Sequence, residues 1–505
     1  MTARTDSDSI FDLAIVGGGI NGAGIARDAA GRGLQVLLVE KDDLASHTSS
    51  GSTKLIHGGL RYLEYYEFRL VAEALAEREV LLRIAPHIIA PLQFVLPHEP
   101  HLRPAWMIRA GLFLYDHLGG HKTLPSSFGV DLATSPWGEG LKHKFHKGFV
   151  YSDARVDDAR LVVLNALGAR ELGADIRVHT RLVAAHREGR TWRMTLQGPD
   201  GSTCEHRALA IVNAAGPWVK QVHDDLSGAP GRASVRHVKG SHIVVPRVHG
   251  RDHAFILQSA DNRIVFVIPY EDEYSLIGTT DIPCEEYEHP RISSEEIEYL
   301  CGIVNGYLEK PVSAASIVWT YSGVRPLYDD GSADPSAVTR DYVLKLDDGQ
   351  GDEAPMLSIY GGKITTYRRL AEQALQELKR FFPAMKPAWT RSQPLPGGDM
   401  PRGGVASYCA QMDACFPSLD ADYLAAVVRR HGTRTARVLR AARTTSDLGA
   451  YFGDTLYAAE IDYMVAQEWA RDPDDVLWRR SKCGLHMSAA QREAVVGYMR
   501  QRTDE

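Results

Sequence analysis

The chain has 505 residues, 44% hydrophobic and 24% charged, with a formal net charge of −7. That length passes the roughly 250–300 residues at which one core stops growing, so two or three domains and a large buried ligand site fit within it. The acidic balance argues against general nucleic-acid binding. No apolar run reaches the ~18 residues of a spanning helix and the polar start Thr2 to Ser9 is no secretory signal, so the expected compartment is cytoplasmic.

The first predicted unit is the most informative. Asp12 to Val16 reads as a buried strand, Gly17-Gly18-Gly19-Ile20-Asn21-Gly22 as a glycine turn opening a helix through Ala30, and Gln35 to Val39 as a second strand closed by Glu40. Gly17 permits the tight turn, Gly19 lets the backbone approach a pyrophosphate, and Gly22 lets helix and strand pack closely. Glu40 stands near the ~20-residue spacing at which a carboxylate meets ribose hydroxyls, so a dinucleotide is the expected ligand. No second complete fingerprint follows Gly22, which favours one dinucleotide, FAD.

The loop Ser46 to Gly59 concentrates hydroxyls, glycines and cations. Thr48, Ser49, Ser50 and Lys54 suit phosphate and ring contacts, and His57 and Arg61 can face a polar substrate. A helix from about Glu64 to Ile84 follows, with Phe68, Val71, Leu75 and Leu82 as its core face. Ala90 to Val150 is rich in proline, glycine and aromatics and reads as a loop-rich insertion. A helix Asp157 to Leu172 and strands Leu182–Ala185, Trp192–Leu196 and Leu209–Val212 come next, with a turn at Gly198-Pro199-Asp200-Gly201. The last strand runs into Ala214-Ala215-Gly216-Pro217-Trp218, small residues that admit a ligand.

Strand signals at His242 to Pro246, Ile264 to Ile268 and Ser275 to Gly278 suggest a mostly antiparallel substrate-domain sheet. Gly278-Thr279-Thr280-Asp281, Tyr321-Ser322-Gly323-Val324-Arg325, Thr339-Arg340-Asp341 and Gly361-Gly362-Lys363-Ile364-Thr365 set hydroxyls and cations beside glycines. In the last, a glycine turn leads into a helix whose N-terminal amides could stabilise negative charge on a reduced flavin. Pro383 to Gly404 reads as a linker, and the remainder as helices. The six cysteines lack C-x-x-C spacing and read as free thiols; no metal-binding spacing of histidines or carboxylates is present, and no metal is expected.

Taken together, the Gly17–Gly22 fingerprint, Ser52 to Glu64, Lys239 to His242, Gly278 to Asp281, Trp319 to Pro326 and Gly361 to Tyr367 closely resemble the aerobic, FAD-dependent glycerol-3-phosphate dehydrogenases of bacterial type. The resemblance spans nearly the whole chain, is looser in the C-terminal part, and shows Thr53 where serine is common. It implies an α/β fold in which a Rossmann-like FAD-binding domain of the glutathione-reductase/D-amino-acid-oxidase type is interleaved with an antiparallel substrate domain and followed by a helical cap. The expected bounds are 1–383 with insertions at about 85–150 and 226–318, a linker 384–404, and a cap 405–505.

The resemblance further implies oxidation of sn-glycerol 3-phosphate to dihydroxyacetone phosphate, with electrons passed through FAD to ubiquinone or menaquinone. Substrate phosphate would meet Arg61, Tyr62, Thr279, Arg325, Arg340 and Lys363. His57 is the expected base, His242 the reserve, and Arg325 a stabiliser of a developing alkoxide; either histidine could instead only position substrate or flavin. FAD would meet Gly17, Gly19, Gly22, Glu40, Thr48, Ser49, Ser50, Lys54, Gly216, Trp218, Gly323, Gly362, Lys363 and Thr365. A homodimer attached peripherally to the inner face of the cell membrane is expected. Two segments could carry that attachment: the amphipathic Leu102 to Leu118, or a basic helix with Arg430, Arg434, Arg437, Arg440 and Arg443. The competing readings are an oxidase that reduces oxygen and a non-catalytic flavin-binding protein.

Overall fold

The computed structural model describes residues 10–99, 103–120, 123–227, 234–259, 263–329, 341–349 and 353–503. Strand β1 (Ile10–Val16), helix α1 (Ile20–Gly31) and strand β2 (Val36–Val39) form the predicted opening unit. Among the described residues the sheet they start has eight strands. Across it the order runs Val343–Asp347, Met356–Tyr360, Thr203–Asn213, β1, β2, Asp175–Arg177, and the last five are parallel. The strands Arg181–Glu188 and Thr191–Gln197 hang from Thr203–Asn213 as an antiparallel excursion. Buried on both faces, β1 and β2 read as near-continuous apolar runs, as central parallel strands do.

A second, ten-stranded sheet is antiparallel except where Ala254–Gln258 pairs with Ile89–Pro97. The pleat sends alternate residues to opposite faces. Ile243, Val265, Val267 and Ile277 pack under the helix Ser294–Tyr307, whereas Val244, Phe266, Ile268 and Leu276 face α2 (Phe68–Ile84) and α3 (Ala105–Leu118). The second face is turned towards the loop that follows β2.

Several expectations need correction. Ala90 to Val150 is no loop-rich insertion: Ile89–Pro97 and Lys147–Val156 are long paired strands, with α3 and Phe128–Asp131 between them. The prolines mislead because Pro91 and Pro97 sit within a strand. The helix expected from Glu64 begins only at Phe68, after a 3-10 turn Leu60–Tyr65, and Phe68 is exposed, the buried stripe being Leu70, Val71, Ala74 and Leu75. Helix α4 (Asp158–Glu171) starts as expected, capped by the Asp157 side chain on the Arg160 N–H.

The stretch 384–404 is no free connector. Trp389 donates to the Asp28 carbonyl, Arg27 donates to the carbonyls of Gln393 and Pro394, and Leu395 N–H donates to Ile84. Beyond it lie helices including Ala421–His431, Ala458–Glu468 and Ala489–Thr503, together with a small hairpin of Tyr451–Gly453 and Leu456–Tyr457. The expected basic helix does not exist. Gly432, at φ +59 with its backbone pressed against Gly397, ends the helix Ala421–His431, and Arg430 and Arg434 are buried on Glu460 and Glu171. Among the described residues no helix is long and apolar enough to cross a membrane, and all six cysteines are free.

Candidate cofactor and substrate site

Because β1, β2 and Thr203–Asn213 run parallel, their carboxyl ends open side by side onto one crevice. Gly17 leaves β1 at φ +113, a conformation side chains rarely adopt, and a Cβ on Gly22 would overlap the Gly17 carbonyl. Gly19 is different: a Cβ there would meet only the Ser49 hydroxyl, at 3.1 Å. Its missing side chain therefore leaves room for a ligand rather than for the fold. Helix α1 has Gly19 as its N-cap, which offers no side-chain cap, and no acid in its first turn; Ser49 Oγ accepts the Ile20 N–H at 3.0 Å, and the positive end of the helix dipole suits an anion.

Glu40 closes the crevice. Its carboxylate accepts the Gly18 N–H at 2.6 Å and the Asp42 N–H at 2.9 Å; burial raises its pKa, with those two bonds opposing. A cleft of about 900 Å³, partly open to solvent, runs over Gly17, Gly19, Glu40, Thr48, Ser49, Gly216 and Trp218. Seven of the expected cofactor residues thus share one cleft. Trp218 is held by the Lys41 ammonium 3.8 Å from its ring centroid, by His47 at its edge, and by Nε1 donating to Glu288.

Past this cleft the loop meets the strand Trp319–Asp329. Thr48 donates to the Val324 carbonyl at 2.7 Å, and a Cβ on Gly51 would lie 2.8 Å from Gly323 Cα, so glycine at both places lets the backbones touch. Ser50 donates to the His47 carbonyl at 3.3 Å. Lys54 departs from the role expected of it: its buried ammonium donates to Asp158 at 2.7 Å and to the Ser50 carbonyl at 3.0 Å. It braces the loop from behind. Gly362, at φ +106, belongs to a turn tied to α1 by Asn21 donating to the Gly361 carbonyl, and Thr365 accepts the His57 N–H at 3.3 Å.

On the substrate side His57, Lys363 and Arg325 converge. Burial lowers the His57 pKa, nearby Asp153 opposes, and Lys363 and Arg325 reinforce the fall. The Lys363 ammonium lies 4.0 Å from the Tyr62 ring centroid. Thr279 and Arg325 both reach over Gly240, whose absent Cβ would stand 2.6 Å from Thr279 Oγ1 and 3.2 Å from Arg325 Nη2. Arg325 meets Asp281 at 3.2 Å yet remains 45% exposed, so its guanidinium is open to a further anion. His242 is buried, stacked on Tyr321 at 4.7 Å, with Nε2 on the Thr53 hydroxyl at 3.0 Å and no hydrogen-bond partner for Nδ1; burial first, then Lys54 and Arg325, push its pKa well down. Arg61 reaches the Tyr65 hydroxyl at 3.5 Å, and Arg340 lies outside the described residues.

Behind His57 lies a layer that motif reading missed. Arg78 donates to Asp153 at 2.8 Å, the Tyr115 hydroxyl donates to the same carboxylate at 2.7 Å, and that hydroxyl accepts the Gly58 N–H at 2.8 Å. These three come from α2, the strand Lys147–Val156 and α3, and no local pattern announces them. Two groups of ligating side chains stand close enough to share a cation, Glu40–Asp42–His47 and His179–Asp472–Asp475. In the first, Glu40 is engaged by backbone N–H groups and Asp42 by His47; in the second, Asp475 is engaged by Arg479 and two backbone N–H groups, so neither is taken as a metal centre.

A dinucleotide crevice in a parallel sheet, joined to an antiparallel sheet carrying cations and neutral imidazoles, defines a flavin-dependent oxidoreductase. The family described as FAD dependent oxidoreductase matches residues 12–368, and the C-terminal domain of alpha-glycerophosphate oxidase matches residues 388–503. The chain belongs to that FAD-dependent family, in the branch of the aerobic glycerol-3-phosphate dehydrogenases. It is 50% identical to the aerobic glycerol-3-phosphate dehydrogenase of Escherichia coli over 496 residues, 98% of each chain. It is also 50% identical to the D-erythritol 1-phosphate dehydrogenase of Brucella abortus over 487 residues, 96% of this chain and 97% of that one. The glycerol-3-phosphate dehydrogenase of Bacillus halodurans, solved with FAD, superposes with a TM-score of 0.77 at 25% identity, covering 98% of this chain and 91% of that one. The residues here fit the same cofactor: Gly19 leaves space at a helix N-terminus, and the cleft reaches from Glu40 and Trp218 to Ser49.

Proposed function

We propose that the protein oxidises sn-glycerol 3-phosphate to dihydroxyacetone phosphate. The observation that carries this reading is the convergence of a neutral His57 with Lys363 and a half-open Arg325 beside the cofactor cleft. FAD, when bound, supplies the hydride acceptor. A phosphate near −2 needs several cationic donors, and Arg325 and Lys363, joined by Arg61, Tyr62, Thr279 and Arg340, serve as that set. His57 takes the proton of the C2 hydroxyl as the C2 hydride leaves, and Arg325 balances the charge that develops on oxygen. His242 is the reserve base, its stacking on Tyr321 suiting it better to positioning.

Electrons leave to a membrane quinone, ubiquinone or menaquinone, from a homodimer resting peripherally on the inner membrane face. Support for the membrane contact lies in α3, which buries Leu112 and Tyr115 and turns outward Trp106, 71% exposed, and Phe113, 58% exposed, with Met107 and Leu114 beside them. Such a face suits the bilayer interface. We divide the chain at 1–383, 384–404 and 405–505.

The second reading concerns the substrate. A relative of equal identity is named for D-erythritol 1-phosphate, which presents the same phosphate and a neighbouring secondary alcohol on a longer chain. Anaerobic mixing of the full-length holoprotein with each phosphate in turn, followed by the flavin bands, separates the two. Faster bleaching by sn-glycerol 3-phosphate is expected, with rapid recovery on adding a soluble quinone and slow recovery in air. Faster bleaching by the erythritol phosphate reassigns the substrate, fast recovery in air with peroxide makes the protein an oxidase, and no bleaching by either removes the reading.

A further inference from the structure

The loop that walls the cofactor cleft is open on both sides. Its inner face borders the cleft of about 900 Å³, and its outer face borders a second of about 1110 Å³, lined by Ser46, Gly51, Lys54, Trp319, Trp478 and Arg479. Midway the loop rests on the strand Trp319–Asp329, where Thr48 donates to the Val324 carbonyl and Gly51 meets Gly323, and at its ends it is fastened by buried charge.

The C-terminal region holds one end of the loop directly and reaches the other through the first residues of α4. At the start, buried Asp43 takes the Arg480 guanidinium through both oxygens, Nη2 to Oδ1 at 2.7 Å, and also Arg479 Nε at 2.6 Å. Burial alone would raise the Asp43 carboxyl, yet the two arginines hold it below its ordinary range. At the far end, Asp158 accepts Lys54 Nζ and the Ser52 hydroxyl, each at 2.7 Å, while its neighbour Asp157 accepts Lys482 Nζ at 2.9 Å. The segment Asp475–Arg480 is π-helical, a rare geometry that occurs frequently at functional sites. It turns Val476 and Leu477 into the C-terminal core while Arg479 and Arg480 reach the loop.

We propose that Arg480 and Lys482 are positioning residues for the flavin: Arg480 fixes the start of the loop through Asp43, Lys482 steadies the Asp157–Asp158 corner that holds its far end, and together they set the protein's affinity for FAD. The proposal rests on the cofactor assignment and not on the substrate, so failure of the substrate reading leaves it standing.

The test is FAD titration of the full-length protein stripped of flavin, alongside its melting temperature. Arg480→Met removes one charge of a buried pair and Lys482→Met one of a partly buried pair, and each should raise the FAD dissociation constant by about tenfold or more. Lys482→Arg should restore it. Arg434→Met is the control: Arg434 joins the same two regions through Glu171, at the opposite end of α4, about 20 Å from Asp157. It should lower the melting temperature while leaving the dissociation constant within about twofold. If Arg480→Met fails to fold, the Lys482 pair decides. Unchanged affinity in Lys482→Met, or an equal loss of affinity in Arg434→Met, overturns the proposal and leaves only an interdomain fastening.

Discussion

A histidine accepts a proton only as the free base, and His57 is kept in that form by burial, with Lys363 and Arg325 adding to the effect and Asp153 resisting it. Its folded pKa lies below the ordinary 6.5, so activity that depends on it is complete at neutral pH and lost only as pH falls through the lowered value. The acid limb of kcat/KM should therefore stand below pH 6.5, and His57→Asn should abolish that limb and lower kcat by about 10²- to 10⁴-fold. A limb at or above 6.5 that survives in the variant would hand the role to another group. Arg325 makes a separate prediction. On the proposed reading it donates to the phosphate or the reacting oxygen, and its ion-pair partner Asp281 is not one of the residues lining the nucleotide cleft, so Arg325→Ala should cost about 1.5–3 kcal/mol in kcat/KM with FAD still bound. Ordinary turnover in that variant would remove Arg325 from the site.

Helix α1 and its glycine turn show which parts of the site a sequence can disclose. The turn, the helix, β2 and Glu40 are consecutive, so their geometry is encoded locally and the cleft forms where the fingerprint places it. Asp153, Tyr115 and Arg78 are assembled by pairing between strands and helices tens of residues apart, and nothing near them in the chain marks them. The arginines from Arg430 onward mislead for the converse reason. Their three- and four-residue spacing is that of a helix face, but the chain turns out of the helix at Gly432, at φ +59, where the Gly397 backbone passes too close for any side chain. The glycines of the turn can be told apart in the same way. A Cβ at Gly22 collides with the Gly17 backbone, whereas at Gly19 it meets only Ser49 Oγ. Gly22→Ala should destabilise the flavin-free protein by about 1–3 kcal/mol. Gly19→Ala should melt like the unaltered flavin-free protein and yet lose FAD, measured by the flavin to protein absorbance ratio on purification. If both variants behaved alike, the separation of fold from cofactor space would be wrong.

The two regions of the molecule are joined through buried charge as well as apolar contact. Arg160 on α4 pairs with Glu468, Arg430 with Glu460, and His431 lies between the two glutamates. His87, buried beside this network with neither ring nitrogen partnered, is depressed to about 3 by burial first and then by Arg160 and His431. In the antiparallel sheet region His249 falls to about 4 and His253 to about 3, each chiefly by burial. Such histidines stay neutral in the native chain while the unfolded chain binds protons below about 6.5, so acidification favours unfolding by up to about 1.4 kcal/mol per pH unit for each. Glu460 acts in the same direction lower down. Its pKa is held at about 2 by Arg430 and His431 against the opposing effect of burial, so the stability it contributes is present above 4.5 and lost as pH falls towards 2. The melting temperature should thus decline from about pH 6.5, well before ordinary carboxylates titrate. His87→Leu should make the decline between pH 6.5 and 4 less steep by removing one of the histidines that take up a proton only on unfolding. A melting temperature level from pH 6.5 to 4.5, or an unaltered slope in His87→Leu, would mean that these imidazoles are protonated in the folded protein and that the network around Arg160 tolerates the added charge.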